Sequence, residues 1–467
     1  MSRSSIAGGA FLVLFFAAGF TVAQEVPAPD WPRVGARAAG LLSKYIQIDT
    51  RNPPGRTVEA ADFLEKLLRE SGLQVERTGG DPEKPIVVGR LHGTDRGAKP
   101  IVLLNHMDVV PTDAARWSFP PLSGEISDGV VHGRGALDMK GFGIIELMAL
   151  RLLARRGERP SRDVVFLAVP DEEVGGDMGT AWLAQNRPDL MDAYGVWDEG
   201  GIGLSDALSV PAMFISVTEK QVLWLKLIAE GPAGHGSRPI PNAAPRRLEE
   251  GLQRIFADLP APRLTPLSRQ VFRRIGSAVG GFEGFALRRL KNPIVWLFAD
   301  GLLQQDPLTS ALVRDTIALT MLRAGYKPNV IPEHAEAVLD CRLLPDTDRK
   351  EFLSHLRKTI DDPAIRIEIL QDAPAQPPPA SPTDHPLFEA IEEVTHEVYP
   401  KAMVMPFMTV AGTDSRFFRR RGVPAYGFIP VQVSEKLLPT FHGIDERIPV
   451  DVLGPAVRVV YTVLKRM

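Results

Sequence analysis

The sequence predicts an α/β fold, a discontinuous domain with a mostly parallel sheet, interrupted by a smaller inserted α+β domain. Three observations carry this. Short apolar runs at 101–105, 164–169 and 193–197 alternate with amphipathic helical stretches, the pattern of parallel strands covered by helices. Between residues 217 and 373 the order changes to β-α-β-β-α-β, a split βαβ unit. A proline-rich hinge at 373–382 follows and the α/β pattern resumes, so segments 25–216 and 374–467 build one domain around the insertion.

The first 24 residues stand apart from this plan. Arg3 provides a positive start, 6–20 a mostly apolar run with FLVLFF at its centre, and Thr21-Val22-Ala23 a small-residue exit. This reads as a signal peptide cleaved near Ala23 or Gln24, and it predicts an exported protein, periplasmic or secreted. The run is short for an uncleaved bilayer anchor.

Within the first segment, 31–49 carries an apolar helical face at Val34, Leu41, Leu42, Tyr45 and Ile46. The loop Arg51–Gly55 leads to a helix over 58–71, capped by Thr57 and stopped by Gly72. Strands at 86–91 and 101–105 precede a turn-rich hairpin region at 117–135. Helix 141–155, strand 164–169, helix 179–185 and strand 193–197 complete the segment. The pattern breaks near Ser216. Strand 221–230 alternates strictly, and helix 242–257, strand 335–342, helix 349–360 and strand 365–370 follow. An extra block, 259–312, rich in Arg, Leu and Phe, sits inside this unit. Strand 425–429 and helix 450–466 belong to the returning segment.

The chain has 467 residues, with 54 basic and 57 acidic side chains and a formal charge of −3. Such a balance gives no electrostatic case for a nucleic-acid partner, or for an anionic membrane once the leader is removed. Cys341 is the single cysteine, which excludes an intrachain disulfide and a cysteine-rich zinc module. Any metal must therefore be held by His, Asp and Glu.

The chemistry-bearing residues cluster at strand ends. In IVLLNHMDVVP, His106 and Asp108 stand two apart, on one face if the strand continues. The Asp108 carboxylate can then accept one imidazole N–H and leave the other ring nitrogen for a metal. In GRGALDMKG the glycines permit a tight turn and Asp138 falls where a helix begins, as a cap or as a ligand. PDEEVGG places Glu172 and Glu173 at the carboxyl end of an apolar strand, where open α/β sheets bind ligands. One can ligate a metal while the other serves as general base. WDEGG ends the next strand with Asp198 and Glu199, and His442 lies in FHGIDER. Two histidines and three or four carboxylates can hold two zinc ions sharing one carboxylate, roughly 3.5–4 Å apart. Cobalt or manganese would suit the same donors.

HMDVVP, GRGALDMKG, PDEEVGG, WDEGG, GHGSRP, PNVIP, DCRLLP, AGTDSRF and FHGIDERI, in this order, resemble the M20 family of zinc-dependent aminoacylases and carboxypeptidases. Within it the chain is most similar to the carboxypeptidase S and N-fatty-acyl-amino-acid hydrolase branch. The resemblance implies an α/β catalytic domain plus a ferredoxin-like lid that often dimerises. It also implies two zinc ions. His106 would bind the first, oriented by Asp108, with Asp138 bridging. Glu172 would be the general base, and Glu173 with His442 would bind the second ion. For the first ion's remaining ligand Asp198 is expected over Glu199, because it directly follows the apolar strand. His235 of GPAGHGSRP would steady the oxyanion, in many relatives across a dimer interface. Asn329 and Arg342 would hold the substrate carbonyl and carboxylate, with Gly412 offering a backbone N–H. The readings without a ligand are an exposed loop histidine for His235 and a strand-edge salt bridge for Arg342.

The expected reaction is amide hydrolysis of an N-acyl amino acid or a short peptide with a free C-terminal carboxylate. A carboxypeptidase or dipeptidase is the alternative within the family. Two other classes compete: a two-metal phosphoryl-transfer enzyme, which would want more cations, and a non-catalytic binding protein, which an intact Glu172 argues against. Ile294, Val295, Trp296, Leu297 and Phe298 are read equally as an acyl-chain tunnel or as lid core.

Overall fold

The computed structural model describes residues 27–206, 210–303, 307–370 and 377–467, together with Met1. The expected leader and the first part of the hinge lie outside the described residues. Eight strands form the large sheet, in the spatial order Gln74–Thr78, Ile86–Leu91, Val164–Val169, Ile101–His106, Gly195–Leu204, Ala425–Val433, Ala212–Glu219 and Met403–Thr409. Its centre is parallel: Ile101–His106 runs alongside Val164–Val169 on one side and Gly195–Leu204 on the other, and Ala425–Val433 follows the same direction.

Period-two alternation divides the central strand between two cores. Ile101 and Leu103 pack with the helices Trp31–Ile46, Lys140–Arg155 and Leu453–Arg466. Val102 and Leu104 face the opposite side, with Leu183 and Phe418. Three strands of this sheet differ from the sequence reading, which has no strand at Gln74–Thr78, Ala212–Glu219 or Met403–Thr409; the first pairs antiparallel with Ile86–Leu91 at the other edge. Met403–Thr409 contains Pro406, which argues against a strand, but it closes the sheet at its edge, where a missing N–H is tolerated. Ala212–Glu219 carries the chain through the sheet slightly past the expected break after Ser216.

The inserted domain is a four-stranded antiparallel sheet in the order Thr316–Ala324, His334–Leu343, Gln221–Glu230, Ile365–Ile369. Its helices Ala244–Ala257 and Arg349–Ile360 share one core with the inward residues Leu223, Leu225 and Leu227, which gives the ferredoxin-like arrangement. The block at 259–312 folds as helices Pro266–Val279, Gly281–Arg288, Pro293–Leu303 and Pro307–Val313. Val271 packs on Met405 and Ala212, so the first of these helices rests on the edge of the large sheet.

The helix Lys140–Arg155 is buried along most of its length, which places Glu146 in the core, accepting from Asn105 Nδ2 at 2.8 Å. Burial pushes its carboxyl well above the usual value of 4.5, against the Asn105 hydrogen bond and with help from Asp198. Glu146 Oε1 and Asn105 Oδ1 are both buried without partners among the described residues, surroundings that disfavour ionisation of the carboxyl. A raised folded-state pKa leaves stability intact below the unfolded value and erodes it as pH climbs through the folded one. Glu146→Gln, uncharged throughout, should therefore melt at or above the wild type near about pH 9, a gain on the order of 1 kcal/mol. Melting curves taken at about pH 5 and about pH 9 check this, because the variant's advantage must grow with pH. An equal offset at both values would mean that Glu146 does not titrate in the fold.

Candidate metal centre and active site

Three parallel strands deliver His106, Glu172, Glu173 and Glu199 to one place. His106 ends its strand level with Val169, and the Pro170–Glu173 turn follows directly. The His106 ring is buried. Its Nδ1 donates to the backbone carbonyl of Asp108 at 2.9 Å, which leaves Nε2 facing Asp138 Oδ1 at 3.1 Å. The expectation that the Asp108 carboxylate accepts this N–H is thus corrected: the nearer carboxylate oxygen lies 3.7 Å from Nδ1. The carboxylate instead accepts from Asn52 Nδ2 at 2.9 Å and from the backbone N–H groups of Glu172 (3.2 Å) and Glu173 (3.3 Å). Asp108 therefore fixes the turn that presents the two glutamates, while its carbonyl fixes the histidine.

Asp138 is not a helix cap. The helix begins at Lys140, the cap position is Met139, and no side chain caps it. Asp138 sits at the end of a loop that turns on Gly133 (φ 144°) and Gly135 (φ 89°), left-handed conformations that favour glycine. The buried Glu446 carboxylate holds that loop by accepting from Arg134 Nη1 (2.6 Å), Gly135 N (3.0 Å), Leu137 N (2.7 Å) and Asp138 N (3.1 Å). So held, Asp138 offers Oδ1 to His106 and Oδ2 to His442 Nε2, each at 3.1 Å. His442 also lies 3.1 Å from Glu173 Oε2.

Of the two adjacent acids within the strand Gly195–Leu204, Glu199 faces this centre. Its Oε1 is 3.6 Å from His106 Nε2, whereas Asp198 Oδ2 accepts from Ser415 Oγ at 2.7 Å. Consecutive strand residues point to opposite faces, so only one of the pair can turn inward. The expectation of Asp198 is corrected to Glu199. Two donor groupings result, with ligand atoms within 4.8 Å of one another: His106, Asp138 and Glu173, and His106, Glu172 and Glu199.

The electrostatics fit a site made for cations. Burial first, and then Glu199, pushes the Glu172 carboxyl well above the usual range. Burial and Asp138 push Glu199 up to about 8, while burial and Asp414 push Asp198 up to about 7. Asp138 is the exception: despite burial, hydrogen bonds from His106 and His442 hold it below the ordinary value. Glu173 Oε1 is buried without a hydrogen-bond partner among the described residues. Oxygen and imidazole donors this crowded match the ligand chemistry of zinc, cobalt or manganese.

The lid residues fall into two groups. His235 is exposed, with Nδ1 2.8 Å from Ser237 Oγ, and its short strand pairs with Val330–Ile331, so that Gly236 N donates to Asn329 O at 2.8 Å. Those two expected residues are together. Arg342 lies far along the lid and grips Asp340 through two bonds, at 2.7 and 3.0 Å. Its cross-strand partner is Val222, whose Cγ2 is 3.0 Å from where a Cβ on Gly412 would sit. Arg342 and Gly412 thus flank one residue at the base of the lid. Arg416 was overlooked, although it lies within AGTDSRF. Its guanidinium is 3.9 Å from Glu172 Oε1 and donates to the carbonyls of Thr413 and Gly175. Glu446 and Arg134 also lie within the quoted motifs, but an ion pair between segments 312 residues apart leaves no local signal. Of the apolar insertion run, Val295 and Trp296 pack into a small core with Phe272, Leu290 and Val313, which is the lid-core reading, while Ile294 and Leu297 face outward.

A profile of the peptidase family M20/M25/M40 matches residues 102–466. The N-fatty-acyl-amino acid synthase/hydrolase PM20D1 of Mus musculus is 33% identical over 382 residues, covering 77% of this chain and 72% of the relative. Aminoacylase-1 of Sus scrofa is 29% identical over 413 residues, 87% of this chain and 89% of that protein. The crystal structure of the M20 family metallo-carboxypeptidase Sso-CP2 from Sulfolobus solfataricus superposes with a TM-score of 0.68 at 19% identity, over 92% of this chain and 98% of that one.

Glu446 supports the Asp138 loop through Arg134, Gly135, Leu137 and Asp138. Glu446→Gln keeps the shape but presents N–H groups to a ring of N–H donors. Metal affinity, read by competition with a chelator, should fall about 10–100-fold. Unchanged affinity would mean that the loop holds Asp138 unaided.

Proposed function

This chain belongs to the peptidase family M20/M25/M40 and is a metal-dependent hydrolase of amide or peptide bonds, and from that premise we propose that it cleaves N-acyl amino acids with two zinc ions. The observation that carries the reading is Asp138, whose two oxygens each address one histidine, His106 and His442. That is the arrangement of a carboxylate shared by two ions, with Glu199 completing one set and Glu173 the other. Bound zinc would polarise the scissile carbonyl and lower the pKa of the attacking water. Glu172, buried beside both sets, takes the proton from that water and returns it to the leaving amine. Arg416, with the Gly412 N–H near it, supplies a cation for a substrate carboxylate, and Arg342 could add its fork only by exchanging Asp340 for the substrate. His235 donates to the oxyanion and Asn329 to the carbonyl.

The name of the mouse relative supports an acyl amino acid as substrate. A short peptide with a free C-terminal carboxylate is the second reading, supported by the Sulfolobus carboxypeptidase structure. The lid strand Gln221–Glu230 is ten residues long, about 30 Å, and it separates the Arg342 end from the His235 end. This separation supports a dimer in which each lid lends His235 to the partner site. The edge strand Thr316–Ala324 is exposed along Leu319, Met321 and Leu322, a surface ready to pair with a second copy. The leader-like segment 1–24 supports export to the periplasm or the medium.

The decisive assay is hydrolysis by the zinc-loaded protein of matched N-acetyl, N-long-chain-acyl and N-aminoacyl derivatives of the same amino acids, with and without chelator. Chelator-sensitive preference for the acyl compounds supports the proposal, preference for aminoacyl compounds makes the enzyme a peptidase, and no cleavage of any of them rejects both. In the same assay Glu172→Gln should lose about 10²–10⁴-fold in kcat with metal content unchanged. His235→Ala should lower kcat more than it raises KM, since its contact forms with the developing charge. An unchanged kcat would return His235 to the role of an exposed loop residue.

A further inference from the structure

The near-neutral charge of the whole chain conceals a strongly basic, apolar-tipped patch. Residues 260–299 contain seven Arg or Lys side chains against one acid, Glu283. Asp346 neutralises Arg263 and Glu392 neutralises Arg274. Among the described residues Arg269, Arg273, Arg288, Arg289 and Lys291 pair with no carboxylate, and all five line one cavity of about 1380 Å³ together with Phe285. On the helices Gly281–Arg288 and Pro293–Leu303, which flank Arg289 and Lys291, large apolar side chains face solvent: Phe282 is 85% exposed, Ile294 69% and Leu297 76%. Phe282 and Phe285 lie three apart in one helix, as do Ile294 and Leu297 in the next, so each helix presents an apolar edge. Packing does not explain this exposure, because Val295 and Trp296 between them already fill the local core.

We propose that this helical insertion docks on an anionic lipid surface, seating Phe282, Phe285, Ile294 and Leu297 among the acyl chains while the unpaired cations meet the headgroups. The helix Pro293–Leu303 has 11 residues, too few to cross a bilayer, and among the described residues no helix is long and apolar enough to do so. A short apolar helix flanked by cations lies in the interface instead. Charge decides the occupant. An unpaired basic cluster beside the apolar tips is complementary to acidic headgroups, and it would repel itself across a contact between two copies of this chain.

The test is co-sedimentation of the purified protein without the leader-like residues 1–24, with vesicles of phosphatidylcholine alone or mixed with phosphatidylglycerol. Wild-type protein should pellet with the mixed vesicles only, and less as salt is raised. Two variants separate the contributions: F282S/I294S/L297S and R273E/K291E, all at exposed positions. Each should weaken binding by at least about tenfold with an unchanged melting temperature. Equal binding by the wild type and either well-folded variant would overturn the proposal, as would equal binding to both vesicle types. So would a serine variant that turns a dimer into a monomer yet still binds vesicles, since the face would then be a contact between copies.

Discussion

Everything at the centre depends on where one carboxylate is held. Asp138 must present its two oxygens in two directions at once, and the loop that carries it has no helical or sheet ladder to fix it. The fixing comes from Glu446, which gathers three backbone N–H groups and the Arg134 guanidinium around one buried carboxylate. A buried ion is tolerated only when its lone pairs are filled, and here four donors fill them. Because Glu446 lies four residues after His442, the same contact ties the second histidine to Asp138. His442 itself takes φ 54°, a conformation that the surrounding segment must enforce.

This constraint explains why the catalytic domain is discontinuous. His106, Glu172, Glu173 and Glu199 come from the ends of neighbouring parallel strands, and the sheet alone can assemble them. His442 and Glu446 come from the returning segment, on the far side of an inserted domain. The chain must re-enter the sheet at Ala425–Val433, beside Gly195–Leu204, before the second histidine reaches Asp138. The lid can therefore vary in size without disturbing the metal set, provided that the entry and exit strands stay paired. Ala212–Glu219 and Met403–Thr409 are such a pair, running parallel at the edge of the large sheet.

Much of this was legible in the sequence, for a physical reason. Alternation and apolar runs report burial directly, so the central strands and both layers of the lid were readable from residue order. The metal-facing acids were readable as a set because acids at apolar strand ends have few other uses. What was not readable depended on distance or direction. Asp198 was preferred over Glu199 from adjacency to the strand, yet side-chain parity, fixed only by the strand's register, decides which faces inward. The Asp108 carboxylate lost its expected partner to its own backbone carbonyl, a choice that spacing cannot reveal. Arg134 and Glu446 are far apart in sequence, and neither carries a local sign of the other.

The inserted lid poses the remaining geometric problem. Arg342 and Gly412 meet near Val222 at one end of the lid sheet, close to the segment that brings Arg416 to Glu172. His235 and Asn329 belong to a ribbon beyond the other end of the same strand. A rigid strand cannot fold back on itself, so the two groups can serve one substrate only if the lid swings or if they come from different subunits. The proposed dimer takes the second route. The exposed edge strand Thr316–Ala324 offers unpaired backbone groups, which pairing across a two-fold axis would satisfy. Lid closure alone would leave that edge open to water. The helix Pro266–Val279, which opens the insertion, packs against the Met403–Thr409 strand of the large sheet rather than on that edge.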